Sequence, residues 1–586
     1  MNPPTFGPRL TPTGVEFRLW APNAKRVDVV LDHAHPLQRD EAGWFSAEIA
    51  GVKPGASYRF RIDDATDVPD PASGFQPHDV AGPSEVIDHD AYAWRAADWR
   101  GRPWADTVLI ETHVGTFTPQ GSYRAMIDRL DDLVATGFTA LELMPLADFP
   151  GARNWGYDGV LWYAPDSVYG RPEELKALID EAHLRGMMVF LDVVYNHFGP
   201  EGNYLGLYAP GFFTDAQTPW GNAIDYRVPE VRGFAIENAL HWLGNYRFDG
   251  LRLDAVHAIP DLGDIPMLHE LSHKVGELAR RTGRYIHLVL ENDDNRATLL
   301  DPDTNPADGQ YRAQWNDDYH HAWHVFLTGE NAGYYSDYAP SPLDHLTRVL
   351  GSGFAYQGQP SAHRGGAPRG EPSGALPPSA FVNFLQNHDQ IGNRPLGDRL
   401  ESIAKPEAIE AALAITLLAP MVPMLFMGEE WGAREPFPFF CDFAGDLADA
   451  VRNGRRKEFA GAYAKYGDNI PDPLSEAAFG SAVLDWDARN GEDGRRRLDL
   501  VTSLLAIRRR DIVPHLAAAR FGQAMVQDNG LLRADWRLGN GAILQLVANL
   551  SDRSVTIDTP TGTILWGEDL QTMLPPWGVQ WRREGI

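Results

Sequence analysis

The chain has 586 residues, of which 44% are hydrophobic and 23% charged, and its formal net charge is -28. That length exceeds one hydrophobic core and predicts two to four domains, while the composition excludes the disordered and fibrous classes. Such acidity repels phosphate backbones and anionic lipid surfaces, so neither nucleic acid nor membrane is an expected partner.

The N-terminal residues MNPPTFGPRLTPTG lack both the basic start and the apolar stretch of a secretory signal. From Gly14 to Ile62 apolar and polar residues alternate, as in Val15-Glu16-Phe17-Arg18-Leu19-Trp20, with Pro, Gly and Asn in the gaps. This is the chemistry of a small β-sandwich, predicted over residues 1–98. A stretch rich in Asp, Pro and Gly, Asp64 to Pro83, leads past Trp94, Trp99 and Trp104 to a new element near Thr107.

From there strand-like runs alternate with amphipathic helices, the pattern of a parallel sheet built from strand-helix units. The predicted strands are Val108 to His113, Ala140 to Met144, Met188 to Val193, Gly250 to Asp254, Ile286 to Glu291, Ala313 to Trp315, Phe381 to Leu385 and Met424 to Met427. Eight strands suffice to close a TIM barrel, the (β/α)8 fold, over residues 99–512; periodicity alone leaves an open doubly wound sheet as the alternative. No Gly-rich phosphate loop follows the first strand, which weakens a dinucleotide-binding reading. Between strands, Pro172 opens a helix in its first turn, Glu173 and Glu174 suit its dipole, Leu175, Leu178, Ile179 and Ala182 form its stripe, and Gly186 ends it.

The segment Gly351 to Pro378, dense in Gly, Pro, Ser and Ala, reads as an irregular excursion and a candidate lid. The longest uncharged run, Ala411 to Met427, is 17 residues and is broken by Pro420 and Pro423. It is read as a buried helix, a turn at the prolines and a strand, too short for a membrane span. Cys441 is the only cysteine, so no intramolecular disulfide or thiolate zinc site can form, and a reducing, cytoplasmic setting is expected. A helix from Arg497 to Arg510 closes the barrel, and alternating runs from Phe521 to Trp581 predict a C-terminal β domain over residues 513–586.

Four of the apolar runs end in an acid: Asp192, Asp254, Glu291 and, through Gln386-Asn387-His388, Asp389. Acids at the C-terminal ends of parallel barrel strands lie where such barrels place their chemistry. Cleaving a glycosidic bond needs one carboxyl group to protonate the leaving oxygen and a second to attack or to activate water. Arg252 and Asp254 share a side by the period of two, and the adjacent guanidinium suits a nucleophile that stays ionised. Glu291 closes the apolar run Ile286-His287-Leu288-Val289-Leu290, where partial burial suits a general acid. Asp389, beside His388, is suited to hold sugar hydroxyls and to favour positive charge at the reacting carbon.

Asp192-Val-Val-Tyr-Asn196-His197, Gly250-Leu-Arg252-Leu-Asp254, Glu291 and Asn387-His388-Asp389 resemble the four ordered motifs of the alpha-amylase superfamily. The resemblance implies a retaining double displacement with Asp254 as nucleophile, Glu291 as acid/base and Asp389 as stabiliser. It also implies that Asp192 and Asn196 are mainly structural, Asp192 by holding Arg252, that His197 and His388 bind the donor sugar, and that Tyr157 stacks on it. The run Gly14 to Asn23 looks like the sandwich that precedes the barrel in branching, debranching and trehalose-releasing members. The segments Glu111 to Pro119, Met144 to Gly151, Trp155 to Gly159 and Gln314 to His321 look most like the trehalose-releasing subgroup, which cuts the α-1,4 bond next to the terminal trehalose of maltooligosyl trehalose. Substrate contacts are also expected from Trp155, as a subsite wall, from His257 on the acceptor side, and from Arg252. Weaker candidates are Trp315, Trp431, Asn292, Asp293 and Asp294.

Most of the 17 tryptophans are assigned to the core. His320 and His324, four apart, are assigned packing or hydrogen-bonding roles, since no further ligand accompanies them. The calcium-like run Asp301-Pro-Asp303-Thr-Asn305 fails at Pro306 and Arg312, where glycine and a bidentate acid belong. No metal or other cofactor is expected. The rival readings are a glycogen branching enzyme, a debranching enzyme and a non-catalytic glycan-binding protein.

Overall fold

The computed structural model describes every residue except 1–4, 219–220, 261–262, 264–265, 302–309, 462–466, 559–560 and 586. The calcium-like run falls largely among residues 302–309, outside the described residues.

The N-terminal alternation folds into two facing sheets. One holds Arg9–Leu10, Gly14–Trp20, Trp44–Ala50 and Gln38–Arg39; the other holds Ala34–Pro36, Val27–Val30, Ser57–Ile62 and Thr66–Val68, with Ser84–Glu85 added on Ser57–Ile62. Val15, Phe17 and Leu19 from one sheet, and Val27, Val29 and Phe60 from the other, are the buried inner faces. The domain is tied to the barrel by the chain just before it. Glu237 accepts the N–H groups of Thr5 and Phe6, and the Phe6 ring meets Phe234 edge-on at 5.1 Å.

Eight parallel strands close the barrel: β1 (Leu109–Thr112), β2 (Ala140–Leu143), β3 (Met188–Val193), β4 (Gly250–Leu253), β5 (His287–Leu290), β6 (Ala313–Trp315), β7 (Phe381–Asn383) and β8 (Val422–Phe426). Each overlaps a run predicted from alternation. One assignment needs correction, because β8 begins at Val422 and Pro423 lies inside it rather than in the preceding turn. A proline next to the first residue of a strand withholds only one ladder donor at the rim, which the barrel tolerates. Leu109, Ala140, Met188, Val289, Val382 and Met424 fill the interior, and Trp104 plugs its lower end with Nε1 bonded to the Ser379 carbonyl at 2.8 Å.

The surrounding helices include α1 (Pro172–Leu184), α2 (Pro229–Asn245), α3 (Met267–Thr282), α4 (Asp317–Thr328), α5 (Pro406–Leu418), α6 (Gly445–Glu458) and α7 (Glu492–Ile507). In α1 the Glu174 carboxylate accepts the Arg171 N–H, the predicted stripe is fully buried, and Gly186 leaves the helix at φ 74°. The helix α7 starts five residues before its predicted Arg497 and runs into a π turn at Arg508–Ile512. That turn delivers Arg508, wholly buried, to the carbonyls of Leu417, Ala419 and Met421, which leave α5 and enter β8.

A five-stranded antiparallel sheet ends the chain: Arg520–Val526, Leu531–Arg537, Ile543–Asn549, Val579–Glu584 and Thr563–Trp566. It docks through two buried indoles. Trp536 donates to the Leu350 carbonyl and Trp581 to the Ala414 carbonyl in α5, both at 3.0 Å, and the rings stack at 5.5 Å. No helix among the described residues is long and apolar enough to cross a membrane.

Candidate active site

The site is built on Arg252. Asp192 and Arg252 are register partners on β3 and β4, so both side chains enter the barrel mouth side by side. Arg252 is 1% exposed, and its Nη1 donates to Asp192 at 2.7 Å and to Asp254 at 2.9 Å, while Nη2 meets Glu291 at 2.9 Å. The Trp315 ring lies against the guanidinium, 4.0 Å from its centroid to Cζ. Burial alone would lower the pKa of this cation, but the acids around it, Asp192 and Glu291 foremost, more than offset that penalty. Burial likewise pushes the Asp192 carboxyl up to about 7, with Arg252 opposing the rise.

Asp254 and Glu291 are fixed by their own backbone neighbourhood. Asn196 Nδ2 donates to Asp254 Oδ2 at 2.8 Å and to its carbonyl at 3.1 Å. Ala255 then turns through the left-handed region at φ 41°, unusual for a residue with a Cβ, and aims its N–H at Glu291 Oε2, 2.7 Å away. The sequence reading set Asp254 beside a cation and Glu291 in an apolar pocket. The geometry corrects that contrast: both carboxylates touch Arg252, and the Glu291 side chain, 21% exposed, is more open than that of Asp254 at 13%.

A second cluster holds the rim. His388 donates through Nδ1 to Glu111 and gives its backbone N–H to the same carboxylate at 3.0 Å. Burial would lower the His388 pKa, yet the Glu111 carboxylate outweighs it and the imidazole is held above its usual value. Tyr157 stacks on His388 at 5.0 Å and donates its hydroxyl to Asp192 at 2.5 Å. His197 bonds the Asn196 side chain and, through Nε2, the Tyr157 carbonyl at 2.9 Å; burial lowers its pKa to about 4. Trp155 is placed differently from its predicted role as a subsite wall. It is 4% exposed, stacked on Phe437 at 5.5 Å and edge-on to His388 at 5.3 Å, so it braces His388 from behind.

Asp389 opens a short helix, His388–Gly392, whose N-terminus is capped by the Asn387 side chain. Burial raises its carboxyl pKa, with His388 pulling the other way and Glu291 adding to the rise. Beside it stands Asp317, at the start of α4, whose pKa burial, Glu291, Asp293 and Asp389 raise well above the carboxylate range. Between these acids lies a cavity of about 220 Å³. Glu291, Asp389 and Asp317 line it together with His257, Asp293, Tyr334, His363, Arg364 and Arg369.

The far wall comes from the excursion. After the helix Pro342–Ser352, a two-stranded hairpin, Gln359–Pro360 with Pro368–Arg369, carries Arg364 and Arg369 over the cavity. Arg364 pairs with Asp293 and Asp294, and Arg369 with Asp293 and with buried Asp318. The Asp293 N–H donates to His257 Nδ1 at 3.2 Å. Asn292 is internal, giving its carbonyl to Gln314, so it is not among the groups that face the cavity. Trp431 packs on Trp486 at 4.9 Å, and His320 and His324 bond Leu385, Tyr335 and Glu330. No group of three or more His, Cys, Asp or Glu among the described residues is arranged to hold a metal.

Sequence reasoning passed over Glu111, Asp317, Arg364 and Arg369. Glu111, the third residue of β1, and Asp317 both lie in quoted segments without an assigned role. The two arginines belong to a loop with no periodicity to read.

Three family models match in order along the chain: carbohydrate-binding module 48 (isoamylase N-terminal domain) over residues 5–93, the alpha-amylase catalytic domain over 87–206, and a domain of unknown function over 519–581. A malto-oligosyltrehalose trehalohydrolase from Deinococcus radiodurans is 45% identical across 86% of this chain and 82% of that one. Another, from a Rhizobium species, is 37% identical across 96% of both chains. Among solved structures, a Salmonella typhimurium protein described provisionally as an alpha amylase superposes with a TM-score of 0.94 at 44% identity, covering 99% of this chain and 100% of that one. A pullulanase from Paenibacillus barengoltzii shares the fold, with a TM-score of 0.71 at 19% identity over 99% of this chain and 95% of that one.

Proposed function

The chain belongs to the malto-oligosyltrehalose trehalohydrolase family, and from that premise we propose that it hydrolyses the α-1,4 bond next to the terminal trehalose of maltooligosyl trehalose. The products are trehalose and a maltooligosaccharide shortened by that unit. The enzyme is a glycosidase, and its substrate class is the α-glucans.

The observation that carries the chemistry is the pair of carboxylates on opposite prongs of one guanidinium, Asp254 on Nη1 and Glu291 on Nη2 of Arg252. Two carboxylates held by one guanidinium suit the spacing of about 5–5.5 Å that a retaining mechanism needs. Glu291 gives its proton to the glycosidic oxygen as that bond breaks, and Asp254 attacks the anomeric carbon to form a glycosyl-enzyme ester. Glu291, now ionised, takes a proton from water, whose oxygen displaces Asp254 and restores both groups. Asp389 lines the same cavity as Glu291 and favours positive charge at that carbon. Arg252 pairs with Asp254 in the barrel mouth, and Asn196 aims it. Tyr157, His197 and His388 form the donor-sugar rim, His257 lies on the acceptor side, and no cofactor enters any step. A cytoplasmic setting completes the proposal, supported by a single cysteine that is wholly buried.

Incubation with maltotriosyl trehalose is expected to yield trehalose and maltotriose. Absence of trehalose at any enzyme concentration overturns the substrate assignment. A 1,4-alpha-glucan branching enzyme from Rubrobacter xylanophilus is 35% identical across 42% of this chain, so the matched assay is amylose with iodine staining. A stain change without new reducing ends would move the assignment from hydrolysis to transfer.

A further inference from the structure

Asp389 is tied to a helix outside the barrel. Its Oδ1 accepts a hydrogen bond from Asn393 Nδ2 at 2.7 Å, one turn further along. The Asn393 side-chain oxygen Oδ1 accepts from Arg455 Nη1 at 3.1 Å, and Arg455 Nη2 donates to the Gly392 backbone carbonyl at 2.8 Å. Arg455 reaches in from α6, with its guanidinium 4.9 Å from the Phe439 ring and 4.8 Å from Phe459, two contacts that hold the fork in place.

An ionised carboxylate only accepts and a guanidinium only donates, so one of the two orientations of the Asn393 amide satisfies both neighbours and the other satisfies neither. We propose that Arg455, acting through Asn393, is a positioning residue for the reaction: it locks an amide N–H onto Asp389 and keeps that acid ionised while charge develops on the sugar. This rests on the role given to Asp389 above. The groups that face Asp389 from other elements cannot take over. His388 is engaged by Glu111 and Arg252 by three acids, while Glu291, Glu111, Asp317 and Tyr334 are acids that oppose a second negative charge. Burial already raises Asp389, and the loss of one donor to its carboxylate raises it further.

The test is the pH profile of kcat/KM and kcat on maltotriosyl trehalose for the wild type, R455M, R455K, N393D and D389N. R455M frees the amide to turn its oxygen towards Asp389. The acid limb is expected to rise by about one pH unit, the size of one lost charge-assisted hydrogen bond, with kcat falling more than KM changes. R455K, which keeps a donor, is expected to restore most of the limb. N393D leaves Arg455 a partner but sets a carboxylate against Asp389, and is expected to raise the limb further. An acid limb unmoved in both R455M and N393D overturns the proposal; if R455M loses its fold by circular dichroism, N393D decides alone. D389N separates the two readings. Turnover at the wild-type rate overturns the assignment of Asp389 itself, whereas an inactive D389N with unmoved limbs elsewhere overturns only the Arg455 relay.

Discussion

The Arg252 guanidinium carbon lies over the Trp315 ring, 4.0 Å from its centroid, so the cation that serves Asp192, Asp254 and Glu291 also packs on an indole. Three acids share one charge, and the ring supplies the remaining attraction without a competing anion. R252M is therefore expected to lose about 10²–10³-fold in kcat/KM, the cost of leaving buried acids without their partner. R252K should recover little, because an ammonium cannot reach three carboxylates as a planar fork does. W315L is expected to keep the ion pairs and lose about tenfold, in line with 1–2 kcal/mol of cation–π attraction. Steady-state kinetics on maltotriosyl trehalose, with thermal melts as control, measure all three.

The Glu111–His388 pair makes stability depend on pH. His388 is raised above its ordinary value in the folded chain, so the pair's contribution is whole below about pH 6.5 and is lost as pH climbs through the raised folded pKa. In E111Q burial and Arg252 are opposed by Asp389 alone, and the imidazole pKa falls. The wild-type advantage in Tm over E111Q should be largest near about pH 6 and should shrink towards about pH 9. A constant difference across that range would show that the two groups do not titrate together.

Glu142 lies opposite Glu111 on the neighbouring strand, 1% exposed, with neither carboxyl oxygen hydrogen-bonded. Burial, then Glu111 and Asp192, raises its pKa well above the usual range. A raised acid confers stability below the unfolded value of about 4.3 that is lost as pH rises towards the folded pKa, because the unfolded chain ionises first. E142Q removes that loss. The Tm of E142Q relative to wild type should rise between about pH 4.5 and pH 8, and a decline over that interval would show that Glu142 is ionised in the barrel.

Gly392 holds the brace behind His388. A Cβ there would lie 1.9 Å from Trp155 Cζ2 and 2.0 Å from Cη2. G392A must therefore push the indole towards His388, and overpacking of this kind costs about 1–3 kcal/mol. The expected result is a kcat/KM reduced about tenfold or more, with the loss shared by W155F only in part. Unchanged kinetics in G392A would mean that His388 keeps its place without Trp155.

The eight barrel strands were readable because each is a short apolar run, and an acid at the end of such a run must lie at the barrel mouth. Arg252 and Asp254 were readable as a pair from the period of two. Glu291 was misread in its surroundings: an apolar strand says what lies beneath its last residue, not what the next strand brings beside it. Trp155 was misread for the same reason, since Phe437 and Gly392, far along the chain, decide which of its faces is covered. Arg364, Arg369 and Arg455 carry no signal in the sequence, because their partners are set by a hairpin and by a helix outside the barrel.

Trp536 and Trp581, stacked with an interplanar angle of 22°, are each pinned to a different element beyond their own sheet. Two indoles held that close share their electronic transitions, so the pair is a built-in optical gauge. If the C-terminal sheet lifts from α5 before the barrel melts, the near-ultraviolet dichroism of the pair should vanish while the far-ultraviolet helix signal persists. Heating would then trace two steps, the first of which leaves trehalose release intact.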